Sequence, residues 1–398
     1  MTMVIKFSEN VIIVGLLYPF VSLIFLPLLK HKLSYLNLFM QGLVILATIV
    51  WLSSRSKVQR IYSGGPILGM SIIGVLGSLF AAGTVSFLIQ VIGLKYLIFP
   101  VVASMAFTNN PKMMAKVLKA MVVISAISDF AALVENIFGV KRLVALGFNY
   151  GTNIIQFTEG TIRAPGLSLS NFDFGFFSAL VSVICFMKIS GSTKLNISRR
   201  LVQIGFVSGL FGIGFSLTRN ALIFLIVACV YPAVVLFQRL NSGSLKLLLS
   251  FLGVTTMLAL GTINTVFVNT SSLHQRLILW QTLYGSTDHS VFYGLGLGKF
   301  GAASFSSLNT LGSYQFVDNY FLSIFFTAGL VGLFLFIAIL GRYYSIGDAA
   351  GRSIIWGYII MSLFTESWEY TEFTTLLLGF VLAHTSKDSL KEAEPILT

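Results

Sequence analysis

Apolar residues run along this chain in blocks of the length that crosses a bilayer as a helix, roughly 20 residues, with short polar breaks between them. On that pattern helices are predicted near 11–29, 33–52, 66–89, 91–108, 116–138, 171–189, 201–217, 219–238, 246–268, 318–341, 353–365 and 371–385. The expected fold is all-α: a polytopic transmembrane helical bundle of about 11–12 spans, because only internally bonded helices bury their backbone in lipid here. Residues 1–398 read as a single integral membrane domain. The short leader Met1–Asn10 runs straight into a full-length span, which predicts a retained first helix rather than a cleaved signal. The block from Leu201 to Phe237 is too long for one helix. Its only interruption, Ser216-Leu217-Thr218-Arg219-Asn220, predicts a tight hairpin with Arg219 at or just below the tip. One polar stretch stands out, at 269–317, and it is rich in Gly, Phe, Tyr and Leu. Loops longer than about 12–15 residues are commonly functional. This one is read as a large outer loop that roofs a site on one membrane face.

Composition agrees with the pattern and narrows it. Charged residues are 10% of the 398 and hydrophobic residues 56%, where soluble domains carry about 25% charge. The net charge of +12 shows no basic cluster interleaved with aromatics, so nucleic acid is excluded as a partner. It orients the bundle instead. With the N-terminus in the cytoplasm, most of the 26 basic residues fall inside, among them Lys6, Arg55, Lys112, Lys188, Arg239 and Arg342. Carboxylates collect at the other face, together with Arg163, Arg219 and Arg276. Cys185 and Cys229 lie in apolar runs and form neither a disulfide frame nor a metal site. His31, His274, His289 and His384 are scattered at spacings that suit no metal, so neither metal nor cofactor is expected.

Several residues stand out as candidates for chemistry. Arg219 is a lone charge inside an apolar run, where arginine needs a partner or a wet cavity, and its planar fork matches phosphate oxygens. Arg163 heads Arg163-Ala164-Pro165-Gly166, a turn that leads into Ser170-Asn171-Phe172-Asp173. Asn171 and Asp173 there can cap the next helix or meet a ligand. Asp318-Asn319 opens the tenth span. The pair can cap it, or Asp318 can take a proton from an attacking hydroxyl while Asn319 orients sugar oxygens. Glu366, Glu369 and Glu372 read as a solvated outer turn. Gly294, Gly296 and Gly298 lack the context of a nucleotide loop and read as a turn that lets backbone approach a ligand. Asp288-His289 is the one acid–histidine neighbour pair. Gly65-x-x-x-Gly69 and Gly205-x-x-x-Gly209 predict close helix approach.

Taken in order, these motifs resemble one family. Arg163-x-x-Gly166 before Asn171, Ser216-x-Thr218-Arg219, Arg276 with Trp280, Gly294-x-Gly296-x-Gly298-x-Phe300, and Asp318-Asn319-x9-Gly329-x-x-Gly332 are similar to the O-antigen polymerase/O-antigen ligase family of bacterial inner-membrane proteins. The likeness spans Arg163 to Gly332 and the closing helices. It implies a bundle of about twelve helices that works on undecaprenyl-diphosphate-linked glycans as donor and acceptor, in contact with membrane lipid, without cofactor. A chain-length regulator is a further implied partner. Carried across, Arg163, Arg219 and Arg276 hold the donor diphosphate, with Gly166, Asn171, Asp173 and Asn319 as substrate-binding neighbours, while the reading of Asp318 as a catalytic base rests on its own chemistry. Ligases of the family typically carry His where this chain has Asp318, so the resemblance favours a polymerase at the outer face of the inner membrane. The rivals are a ligase to lipid A-core and a flippase for the same lipid.

Overall fold

The computed structural model describes residues 2–25, 33–53, 57–83, 85–139, 142, 157–158, 161–168, 170–239, 271–286, 291–301, 304 and 317–384. The expected span at 246–268, and with it Glu159 and Asp288-His289, lies outside the described residues. Among the described residues there are twelve α-helices: α1 (Thr2–Leu17), α2 (Leu33–Ser53), α3 (Lys57–Ala81), α4 (Phe87–Ser104), α5 (Pro111–Phe138), α6 (Asn171–Ser190), α7 (Arg199–Ser216), α8 (Arg219–Arg239), α9 (Ser271–Ser286), α10 (Tyr320–Ile346), α11 (Ala349–Ser362) and α12 (Thr371–Ala383). Strand structure among them is a single two-residue ladder, Phe157–Thr158 with Thr161–Ile162. Eight helical stretches are long and apolar enough to cross a membrane. The protein is an all-α, multi-pass membrane bundle.

Two helices differ most from the hydropathy reading. The first helix runs over Thr2–Leu17 and continues as a 3-10 turn through Phe25, where 11–29 was expected. The third runs over Lys57–Ala81 rather than 66–89. Its basic first turns lie beyond the apolar block but keep helical backbone. Polar residues outside the hydrocarbon can extend a helix that hydropathy alone ends early.

The core is built where α7 and α8 pack on α6. Gly205 and Gly209 press against α5 and α6: a Cβ on Gly209 would stand 2.4 Å from the Ser178 carbonyl oxygen, and one on Gly205 would stand 2.5 Å from Val122. The expected small-residue approach is therefore present at this pair. At the other pair, Gly69 touches Ile339 while Gly65 faces open space.

Two ends of the bundle differ in character. Backbone bonds from Asn109 to Leu382 (3.0 Å) and from Asp348 to His384 (3.2 Å) tie one end together, and Lys112, Lys188, Arg199, Arg239, Arg342 and Arg352 sit on the helix turns there. The opposite end carries the α7–α8 turn, the starts of α6, α10 and α12, and the segment after α11. Helices α11 and α12 have only 14 and 13 residues, about 21 and 20 Å at 1.5 Å per residue, against roughly 30 Å of hydrocarbon. Their junction, residues 363–370, is therefore recessed below the ends of longer neighbours such as α5.

Helix α10 is broken at Gly329 (φ 66°, ψ −163°), and the glycine-rich segment 291–298 enters the break. Leu330 N–H donates to the Val291 carbonyl (2.9 Å) and Val331 N–H to that of Phe292 (3.4 Å). The Phe326 and Thr327 carbonyls accept from Leu295 (2.7 Å) and Gly296 (2.9 Å). Residues 330 and 331 would bond to 326 and 327 in an unbroken helix, so the inserted segment restores, group for group, what the break removed. Backbone at this depth is tolerated when protein covers it. Gly294, Gly296 and Gly298 all have positive φ, and a Cβ on Gly296 would stand 2.4 Å from the Ala81 nitrogen. These glycines let the chain approach its own helices.

Candidate functional site

The end away from the basic turns holds Arg163, Gly166, Asn171, Asp173, Arg219, Arg276, Asp318 and Asn319, in two groups. The first forms around the start of α8. Leu217 adopts a left-handed conformation (φ 49°) and ends α7, and Arg219 begins α8 immediately after, as the hairpin reading expected. The Thr218 hydroxyl donates to the Asn171 carbonyl (3.1 Å), and the Asn171 amide nitrogen donates to the Ser216 carbonyl (3.4 Å). Buried Asn171 therefore shapes the turn that presents Arg219. Ser170 caps α6: its hydroxyl accepts from Asp173 N–H (3.0 Å) and donates to the Asp173 carboxylate (2.8 Å). Asp173 is thus engaged in a reciprocal helix cap.

Arg163 reaches this turn along the strand that ends at Ile162. Ala164 N–H donates to the Phe215 carbonyl (3.1 Å), and Ser168 N–H closes the Pro165 turn (3.0 Å). Gly166 (φ 59°) donates its N–H to the buried Glu135 carboxylate (3.1 Å), and a Cβ there would stand 2.9 Å from the Ser128 carbonyl oxygen. These contacts bring Arg163 beside Arg219. Burial first, and then the Arg219 charge, pull the Arg163 guanidinium below its ordinary value. Two cations near the start of a helix are a combination that can hold an anion.

The second group surrounds the start of α10. Asn319 caps it, accepting from Leu322 N–H (3.1 Å). Asp318 has a positive φ of 52° and pairs with Arg276 of α9 (Nε to Oδ2 3.2 Å). The preceding Val317 is clamped on both sides. Trp280 donates its indole N–H to the Val317 carbonyl (2.6 Å), and Val317 N–H donates to the Glu366 carboxyl (2.7 Å). The clamp fixes the direction of Asp318.

Glu366 and Glu372 are 5% and 9% exposed, which overturns the solvated turn expected for this acidic run. The shortness of α11 and α12 explains it, since their junction is recessed among the longer helices. Burial first, then the neighbouring Glu369 charge, hold the Glu366 carboxyl well above the usual carboxylate range. Its protonated form is therefore favoured relative to that of an exposed carboxyl. A carboxyl whose folded value is raised stabilises below its unfolded value and loses that contribution as pH rises through the folded one. The unfolding midpoint of the purified protein should accordingly fall as pH rises from about 5. Glu366→Gln, which keeps an acceptor for Val317 and never ionises, should flatten that fall. Glu366→Ala should lower the midpoint at every pH, by about 1–3 kcal/mol of stability, because it orphans the Val317 N–H.

Sequence reasoning missed the residue that joins the groups. Tyr370 lies within electrostatic reach of Asp173 on one side and of Glu366 and Asp318 on the other, and its ring packs edge-on against Phe176 (4.7 Å). A small cavity is lined by Tyr96, Gly298, Tyr320, Ser323, Thr327 and Glu369, among others. The available signal was the polar break Glu366–Glu372 itself. Among the described residues no group of three or more His, Cys, Asp or Glu side chains could hold a metal.

No protein-family model matches the chain, and no curated protein matches it.

Proposed function

We propose that the protein is a glycosyltransferase of the bacterial inner membrane that joins undecaprenyl-diphosphate-linked oligosaccharide repeats into a longer glycan. The paired guanidiniums of Arg163 and Arg219 at the start of α8 carry the reading. Like charges brought together repel, and a diphosphate relieves the repulsion while gaining planar, bidentate bonds. Concentration of basic residues at the opposite end supports a cytoplasmic position for that end and a periplasmic one for the site.

In this mechanism a sugar hydroxyl of the acceptor attacks the anomeric carbon of the donor. The new C–O bond forms as the bond to diphosphate breaks, undecaprenyl diphosphate leaves on the arginines, and the hydroxyl proton passes to Asp318. Arg276, 3.2 Å from Asp318, holds that carboxylate in position to accept the proton. Charge stabilisation and positioning lower the barrier. At the break in α10 the Phe326 and Thr327 carbonyls are taken by Leu295 and Gly296, where a transporter's broken helix would offer such carbonyls to a coupling ion, which weighs against that rival.

Purified protein given synthetic lipid-linked repeats should lengthen them without added metal, and a deletion strain should attach single repeats to its cell surface. A mutant that accumulates full-length, unattached polymer would instead assign the protein to ligation.

A further inference from the structure

The two groups of site residues start from different helices, and the proposed transfer needs them at one fixed separation. The diphosphate leaves on the arginines while the hydroxyl proton passes to Asp318, so the reacting carbon must sit between them. One link between the groups runs through the short segment after α11. Asn220, next to Arg219 in the first turn of α8, donates its side-chain amide N–H to the Phe364 carbonyl (3.0 Å). Two residues on, the Glu366 carboxyl accepts the N–H of Val317 (2.7 Å), which directly precedes Asp318. From one group to the other the path crosses just Phe364, Thr365 and Glu366.

That segment is held from behind. Trp368 donates its indole N–H to the Leu97 carbonyl of α4 (3.1 Å), and the Thr374 hydroxyl of α12 donates to the Ser367 carbonyl (3.0 Å). Phe364 N–H returns to the Met361 carbonyl of α11 (2.9 Å), and Thr365 and Glu366 are buried. Two residue steps span at most about 7 Å, so little slack remains between its ends. We propose that residues 364–366 are a spacer that sets the distance from the donor diphosphate to Asp318, and that Asn220 is the positioning residue that fixes Arg219 to it. The inference rests on the proposed transfer, and Asn220 acts in it through Arg219. Without Asn220 the fold should persist, because α8 and α11 stay joined two turns deeper. There Ser353 donates to the Ala228 carbonyl (2.8 Å), and a Cβ on Gly357 would stand 3.0 Å from the Phe224 carbonyl oxygen. Only the first turn of α8 loses its tie.

The test separates turnover from binding in purified full-length variants given synthetic lipid-linked repeats. Asn220→Ala should lower kcat by about tenfold to a hundredfold, the scale of a misplacement of about 1 Å, while undecaprenyl diphosphate inhibits it as strongly as the wild type. Arg219→Ala should instead weaken that inhibition. Asn220→Leu, of similar volume but without a donor, should behave like alanine and serves should the alanine variant fail to fold. Asn220→Gln keeps the donor and should recover most of the rate. Ser353→Ala, which removes a bond between the same two helices away from the site, should turn over normally. Wild-type kcat in Asn220→Ala and Asn220→Leu overturns the assignment. So does an equal loss in Ser353→Ala, which would mark general loosening, or a loss that comes wholly as weaker inhibition by undecaprenyl diphosphate. A wild type that neither lengthens repeats nor binds undecaprenyl diphosphate is a different result: it overturns the transfer reading itself, and the spacer with it.

Discussion

Arg219→Ala is expected to insert and accumulate like the wild type while making little or no polymer. Arg219 is exposed at the first position of α8, so its removal opens no core cavity. It does take one of two guanidiniums from the anion site. Losing a strong contact to developing charge commonly costs about 2.7–4 kcal/mol, a drop of about 10²–10³ in rate. Arg219→Lys keeps the charge but loses the planar fork and should also be severely impaired, with alanine the worse of the two. Polymer length and yield at matched expression provide the measurement. Near-normal polymer from Arg219→Ala would reduce Arg219 to a solvated helix end. The diphosphate site would then have to be rebuilt around Arg163, since Arg276 already answers the charge of Asp318.

A second large effect is expected at Gly329, and it concerns assembly. The residue occupies a backbone region essentially reserved for glycine, and a Cβ there would stand 2.2 Å from the carbonyl carbon and oxygen of Phe292. Gly329→Val must push residues 291–296 out of the break. That leaves two N–H and two C=O groups without their partners at membrane depth, each costing several kcal/mol. The variant should fail to give a monodisperse protein on size exclusion. Gly341→Val in the same helix is the control, because no atom lies within 4 Å of its added Cβ. A monodisperse Gly329→Val at wild-type yield would show that the break tolerates being left open.

Much of this architecture could be read from the chain because it is local. Block length placed the helices, the polar interruption at 216–220 placed the α7–α8 turn, and Pro165 and Asn319 marked a turn and a cap that the structure contains. What escaped was non-local. Nothing near Gly294 or Gly296 shows that their neighbours pair with a helix thirty residues on, so the segment looked like an open loop. Hydropathy also cannot register that two short helices sink the carboxylates between them, and Glu366 was accordingly placed in water. The two groups of candidate residues were each legible as motifs. Their meeting across Tyr370 depends on α6, α10 and α12 starting at the same end of the bundle.

The mended break in α10 also constrains the order in which the protein is made. The patch, residues 291–296, precedes the helix it repairs, so the ribosome has released it before Gly329 emerges. If α10 entered the bilayer alone, its open carbonyls and amides would face lipid. The patch in turn leans on parts made still earlier, since Leu297 N–H donates to the Gly77 carbonyl of α3 (2.7 Å). Biogenesis therefore has a direction: α3 and α4 provide the berth, the glycine-rich segment docks in it, and α10 closes last against a template already waiting in the membrane.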